Sequence, residues 1–176
     1  LVFASAIAIA SGYIINNFYD SQKDLINRPS KSMLDRLVSQ KTKLQVYFTL
    51  NFIVALMAWF ISWRALLFFL FFFFLIWFYS HKLKKIVFIG NLSAALLAVW
   101  PFFAILLYYY QPTSIEELER HKDHFAVIFA HASFLFLLIL IRELIKDLEN
   151  LKGDLANNYH TIPVFYGENW SKRIST

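Results

Sequence analysis

Apolar residues in this chain gather into five long runs, residues 1–17, 44–62, 65–79, 86–110 and 125–141, parted by short polar stretches. Runs of this length predict helices rather than strands. A helix rises about 1.5 Å per residue, and the hydrocarbon core of a bilayer is about 30 Å thick. Runs 44–62 and 86–110 are long enough to cross, the second with a tilt or a kink at Pro101. Run 65–79, "ALLFFLFFFFLIWFY", needs Trp63, Ser80 and His81 to complete a crossing, and run 125–141 needs its ends extended. Runs 44–62 and 65–79 are separated by little more than Trp63 and Arg64, which predicts a tight antiparallel hairpin. The expected fold is all-α: a polytopic transmembrane bundle of about five spans, with "ENWSKRIST" beginning a sixth helix. It forms a single membrane domain over 1–176.

Composition agrees. The 176 residues are 59% hydrophobic, with 20 Phe, 9 Tyr and 5 Trp, more bulk than a small soluble core hides. Four Gly and four Pro leave no Gly-rich phosphate loop and no long flexible linker. With no Cys there is neither a disulfide framework nor a thiolate metal site. The net charge of +5 sits in short loops between apolar runs, so no nucleic-acid partner is expected. Leu1 already lies inside an apolar run, and no basic region precedes "ASAIAIASG" as it would in a signal peptide. The chain reads as a piece of something longer, cut at the start and at the end.

Lys and Arg set the expected orientation. If the helices alternate, one side carries Lys23, Arg28, Lys31, Arg36, Lys41 and Lys43, then Lys82, Lys84 and Lys85, then Arg142, Lys146, Lys152, Lys172 and Arg173. The other side has Arg64, Arg120 and Lys122 beside Glu116, Glu117, Glu119 and Asp123. The first side is expected to be cytoplasmic.

Two acidic rows fall on that basic side. Asn17, Asp20 and Asp24 are spaced i, i+3, i+7, and so are Asp147, Asn150 and Asp154. At about 100° per residue each row lies on one helical face. A single such row at a helix end is ordinarily a solvated interface. Two rows of equal spacing on one side predict a cation that neutralises them. Oxygen ligands without His or Cys suit Mg²⁺ or Ca²⁺. Mg²⁺ binds through one or two carboxylates plus substrate phosphate, so facing rows fit two or more Mg²⁺ around a diphosphate. Lys23, Arg28, Lys82, Lys84, Lys85, Arg142 and Lys146 are candidates to meet phosphate oxygens. An apolar pocket between helices would receive a greasy tail attached to that headgroup.

Three stretches carry a family resemblance. "NNFYDSQKDLINRP", Asn16 to Pro29, resembles the N-D-x-x-D-x-x-x-D…N-R-P motif of the UbiA-type intramembrane prenyltransferases. "KDLENLKGD", Lys146 to Asp154, resembles their D-x-x-D-x-x-x-D motif, and "TIPVFYG" resembles its usual sequel. "YSHKLKKIVFIGN" resembles the loop whose Tyr and Lys residues line the diphosphate site. The resemblance implies nine helices in the complete protein, of which this chain supplies roughly the second to the sixth. It implies Mg²⁺-assisted departure of diphosphate from an allylic polyprenyl diphosphate, followed by capture of the prenyl cation. The acceptor is an aromatic quinone precursor or an isoprenoid glycerol phosphate. It also implies a bacterial or archaeal cell membrane. The first Asp of the family's first motif is Asn17 here, and the middle Asp of the second is Asn150; an amide oxygen ligates without charge.

The expected catalytic acids and metal ligands are Asp20, Asp24, Asp147 and Asp154, with Asn16, Asn17 and Asn150 as amide partners. Arg28 and Lys84 are the first choices for phosphate, with Lys23, Lys82, Lys85, Arg142 and Lys146 behind them. Tyr79 and Phe18 are aromatic candidates beside a prenyl cation. Asn91 is expected near the headgroup, and His131 in an interhelical hydrogen bond. The Phe-rich run 68–74 is assigned to lipid or packing, Glu149 to solvent, and Tyr108, Tyr109 and Tyr110 to an interfacial belt. Three rival readings are a transporter, a membrane phosphotransferase of the CDP-alcohol kind, whose D-G…A-R…G…D…D motif has no counterpart here, and a non-catalytic bundle with a cation-binding interface. A transporter would carry its acids near the midplane on broken helices, and a non-catalytic bundle has no need of two matched acid rows.

Overall fold

The computed structural model describes residues 1–35, 37–109 and 122–167. Tyr110 of the expected belt, the expected start of a sixth helix, and Arg36, Arg120, Lys172 and Arg173 lie outside the described residues. Among the described residues there is no strand.

Helix α1 (Val2–Asn27) runs ten residues beyond the first apolar run, so the first acidic row is helical. It stops at Arg28 because Pro29 disfavours a helical conformation in the residue before it. A short helix α2 (Pro29–Asp35) leads towards α3 (Gln40–Ile61). Ser39 caps α3: its hydroxyl accepts the Thr42 N–H at 3.0 Å. Helix α4 (Trp63–His81) follows after one residue. Ser62, extended at φ −171 and ψ 156, ends α3 and caps α4 by accepting the Ala65 N–H at 3.1 Å. The hairpin is therefore tighter than expected, since Trp63 and Arg64 belong to the first turn of α4 rather than to the link. A 3-10 turn, Leu83–Lys85, leads to α5 (Ile89–Tyr109), whose backbone stays helical through Pro101. Helix α6 (Lys122–Glu149) extends the last apolar run at both ends. Two short helices, α7 (Leu151–Ala156) and α8 (Ile162–Tyr166), close the described chain.

Among the described residues, four helical segments are long and apolar enough to cross a membrane: Val2–Asn27, Gln40–Ile61, Trp63–Lys85 and Phe125–Glu149. The fifth expected span is α5, whose helix covers 21 residues over Ile89–Tyr109. Helix α1 packs between α3 and α4, α5 packs on α4 and α6, and α7 returns to α1.

In lipid the apolar effect gives helices little reason to associate, so close packing decides. Helix α1 supplies small residues for this. Ala4, Ala8 and Ser11 are fully buried, and a Cβ on Gly12 would lie 3.0 Å from Ile76 Cδ1. The partners are Tyr47, Val54 and Ala58 on α3 and Ala65, Phe69, Phe72, Phe73 and Ile76 on α4. The Phe run thus divides by helical azimuth: Phe69, Phe72 and Phe73 pack inward, while Phe71 and Phe74 face outward. Phe3, Phe52, Trp59, Phe60 and Phe129 are likewise exposed, as a lipid-facing surface requires.

Candidate functional site

The basic end of the bundle brings α1, α6 and α7 together. Asn27 and Gly153 make the closest approach: the Asn27 Oδ1 accepts the Gly153 N–H at 2.8 Å. A Cβ on Gly153 would collide with the Asn27 side-chain amide, so glycine is what permits this contact. One turn back along α1, Lys23 Nζ lies 2.9 Å from Asp154 Oδ1. Asp154 is fully buried, and its Oδ2 accepts the Thr161 hydroxyl at 3.2 Å. The α6–α7 junction, at Asn150, does not break the row, because Asp154 N–H still bonds to the Asn150 carbonyl at 3.0 Å. Beyond α7, Asn158 takes a left-handed φ of 55, which asparagine tolerates. That turn folds Tyr159 back onto the site: its N–H reaches the Asp154 carbonyl at 2.9 Å, and its ring lies under Lys23 Nζ at 4.9 Å. Burial first, then the Asp20 and Asp154 carboxylates, push the Tyr159 phenol well up, so it stays neutral.

A second ion pair joins Asp20 Oδ1 to Lys84 Nζ at 2.8 Å, and the same ammonium lies 3.3 Å from Asn16 Oδ1. Lys84 comes from the 3-10 turn, which sits close above α5 because residue 90 is glycine: a Cβ there would lie 3.1 Å from the Lys84 carbonyl. From α5, Asn91 Nδ2 donates to Asp147 Oδ2 at 2.7 Å. Asn16, Asp20, Lys23, Tyr79, Lys84, Asn91, Lys146, Asp147 and Asn150, all expected site residues, line one small cavity of about 30 Å³. That volume holds a water or one small ion. A diphosphate enters only if a side chain such as Lys84 swings aside.

Other expected residues lie elsewhere. Asn17 and Asp24 line an open groove of about 460 Å³ beside α3, with Tyr13, Val46 and Lys43. Lys43 Nζ donates to Asn17 Oδ1 at 2.7 Å. Along α1, Asn17 and Asp24 share an azimuth from which Asp20 and Asn16 are rotated, so one row serves two surfaces. Arg28 pairs with Glu149 at 3.1 Å on the exposed edge. Lys82 is exposed, Lys85 Nζ stacks on Tyr159 at 5.3 Å, and Arg142 meets Glu143 at 3.2 Å. His131 does not bridge helices among the described residues; its Nδ1 lies 2.7 Å from the Val127 carbonyl of its own helix, one turn back.

The structure adds residues that the sequence reading passed over. Glu143 is buried, lines the small cavity and pairs with Lys146 at 3.1 Å. Its i, i+4 spacing to Asp147 was the available signal. Thr161 joins the cavity wall, and Asn27, three residues after Asp24, continues the first row.

The donor set is of the kind a hard divalent cation takes. Asp20, Asp147 and the amides of Asn16 and Asn150 put oxygen donors on one cavity, the chemistry Mg²⁺ takes. Among the described residues, no three acids or histidines converge into a ready-made metal cage. Lysines hold three of the acids instead, Lys84 on Asp20, Lys23 on Asp154 and Lys146 on Glu143. The residues fit a cation shared with substrate phosphate rather than one caged by protein alone.

A model described as the UbiA prenyltransferase family matches residues 1–176. A digeranylgeranylglyceryl phosphate synthase of Methanosphaera stadtmanae is 32% identical over 162 residues, 92% of this chain and 54% of the relative. The enzyme of the same name from Thermococcus sibiricus is 30% identical over 164 residues, 93% of this chain and 54% of its own. The chain thus spans about half the length of these curated relatives. The UbiA homologue of Archaeoglobus fulgidus, whose structure was solved bound to DMAPP and Mg²⁺, superposes with a TM-score of 0.70. It covers 99% of this chain and 59% of that one, at 17% identity, a likeness of fold alone.

Proposed function

Because the chain belongs to the UbiA prenyltransferase family, we propose that the protein of which it forms the core is an integral-membrane prenyltransferase. It moves a polyprenyl group from an allylic diphosphate to the hydroxyl of an isoprenoid glycerol phosphate. The reading is carried by one observation: Asp20 of α1 and Asp147 of α6 line the same cavity as Lys23, Lys84 and Lys146. Carboxylates and ammonium groups together suit a phosphate-bound divalent ion, and neither a lipid-facing surface nor a scaffold needs them. The acceptor class is supported by the names of the relatives, each a digeranylgeranylglyceryl phosphate synthase.

In this reading Asp20 and Asp147, with Asn16 and Asn150, hold Mg²⁺, which supplies positive charge to the diphosphate oxygens when bound. Lys84 and Lys146 take the remaining phosphate oxygens, and Asn91 orients Asp147. The bond from the prenyl carbon to the bridging oxygen breaks, and its electron pair leaves with diphosphate. The acceptor hydroxyl oxygen forms the new bond, and its proton passes to the released diphosphate. Tyr79 lines the cavity and offers a ring face to the allylic cation.

The test is an assay of the full-length protein with one labelled polyprenyl diphosphate, Mg²⁺ and a panel of acceptors. Label moving to an isoprenoid glycerol phosphate is the expected result. Transfer to 4-hydroxybenzoate or dihydroxynaphthoate instead would move the assignment to quinone precursors. Failure to bind the diphosphate with Mg²⁺ would favour a transport or scaffold role.

A further inference from the structure

We infer that Lys23 is a tethered cation standing in for one divalent metal ion, so that the site takes its diphosphate with a single magnesium ion. The inference deepens the prenyltransferase reading and rests on it. Asp154, the last acid of the second row, has both oxygens engaged: Oδ1 meets Lys23 Nζ at 2.9 Å and Oδ2 meets the Thr161 hydroxyl at 3.2 Å. A metal at Oδ1 would stand beside the Lys23 ammonium, whose charge opposes it. The Lys23 side chain is only 11% exposed, and its ammonium is held from the other side by the Tyr159 ring at 4.9 Å. A lysine that only marked the cytoplasmic side would turn to water, where its charge is solvated at no cost. This one is locked between helices by groups that α7 and the turn after it supply.

The amides point the same way. Asn17 and Asn150 stand in the two acidic rows where a further carboxylate would serve a second metal. Asn17 already accepts a hydrogen bond from Lys43, and Asn150 brings a neutral, buried amide to the cavity. Asp20, whose Oδ1 also meets Lys84, and Asp147 line the cavity, while Asp24 lines the separate groove beside α3; two carboxylates plus substrate phosphate are what one Mg²⁺ uses.

The experiment counts metal rather than turnover. The full-length protein in detergent is saturated with an S-thiolo polyprenyl diphosphate, which resists cleavage, and titrated with Mn²⁺ under electron paramagnetic resonance. The wild type is expected to bind one Mn²⁺ per chain without manganese–manganese coupling. Lys23→Gln frees Asp154 and is expected to bind a second ion, with the coupled spectrum of a pair. Two coupled ions in the wild type, or a single ion in Lys23→Gln, would overturn the inference and leave the transferase reading standing. No diphosphate binding by the wild type would overturn both. Should Lys23→Gln not fold, the wild-type count decides.

Discussion

The side chain of Asn27 and the backbone of Gly153 touch across 126 residues of sequence, the amide oxygen taking the glycine N–H at 2.8 Å. That contact fixes the tip of α1 against α7 and so sets Lys23 opposite Asp154. In Gly153→Ala the new methyl collides with the Asn27 amide. Moving the amide away breaks the hydrogen bond and leaves buried polar groups unpaired. The expected loss is about 1–3 kcal/mol of stability, read as a lower unfolding temperature of the full-length protein in detergent. Adding Asn27→Ala removes the collision and is expected to recover part of the loss; strictly additive losses would show that the two residues are not coupled.

Asp20 and Asp147 face one cavity from different helices. On the proposed reading, either one changed to Ala removes a charged ligand and one side of the phosphate site. Turnover is expected to fall by at least about 100-fold, while the protein still inserts and elutes as the wild type does in size-exclusion chromatography. Near-normal activity in either variant would refute the assignment.

Much of this architecture was legible in the chain, and the reasons for the rest are physical. The apolar runs gave the helices, since lipid demands long uninterrupted stretches, and the i, i+3, i+7 spacing brought Asp20 and Asp147 to one end. Spacing alone could not divide a row between two surfaces. Small azimuthal differences send Asp20 towards α4 and α5 and Asp24 towards α3. Long-range pairing was equally hidden: Lys23 read as a free phosphate ligand because its partner Asp154 lies far along the chain. Glu143 was concealed among the charges of "RELIK", which look solvated until α5 and the 3-10 turn pack over them. His131 looked like an interhelical group, yet its own helix offers a carbonyl one turn back.

Asn91 acts on Asp147 through a 2.7 Å hydrogen bond. Asn91→Leu keeps the volume and deletes the donor, leaving the carboxylate free to rotate. Removing a partner that orients a metal ligand typically costs about 10- to 100-fold in metal affinity. The concentration of Mg²⁺ that half-saturates activity is therefore expected to rise within that range. The same Mg²⁺ dependence in Asn91→Leu and wild type would mean that Asp147 is not a ligand.

The orientation of the site is open to a direct chemical test, because the chain has no cysteine of its own. Helix α4 spans 19 residues, about 28 Å at 1.5 Å per residue, so its two ends lie at opposite membrane surfaces. Arg64 stands in its first turn and Lys82 just past its last, and both are exposed. Lys82 belongs with Lys84 and Lys85 to the basic side that carries the acidic rows, whereas Arg64 belongs to the cation-poor side. A single cysteine is placed at one or the other position in the full-length protein, and sealed vesicles are treated with a membrane-impermeant maleimide. Lys82→Cys is expected to react only in inside-out vesicles and Arg64→Cys only in right-side-out ones. The reverse pattern would put the diphosphate site on the outer face of the membrane, away from the cytoplasmic supply of soluble diphosphates.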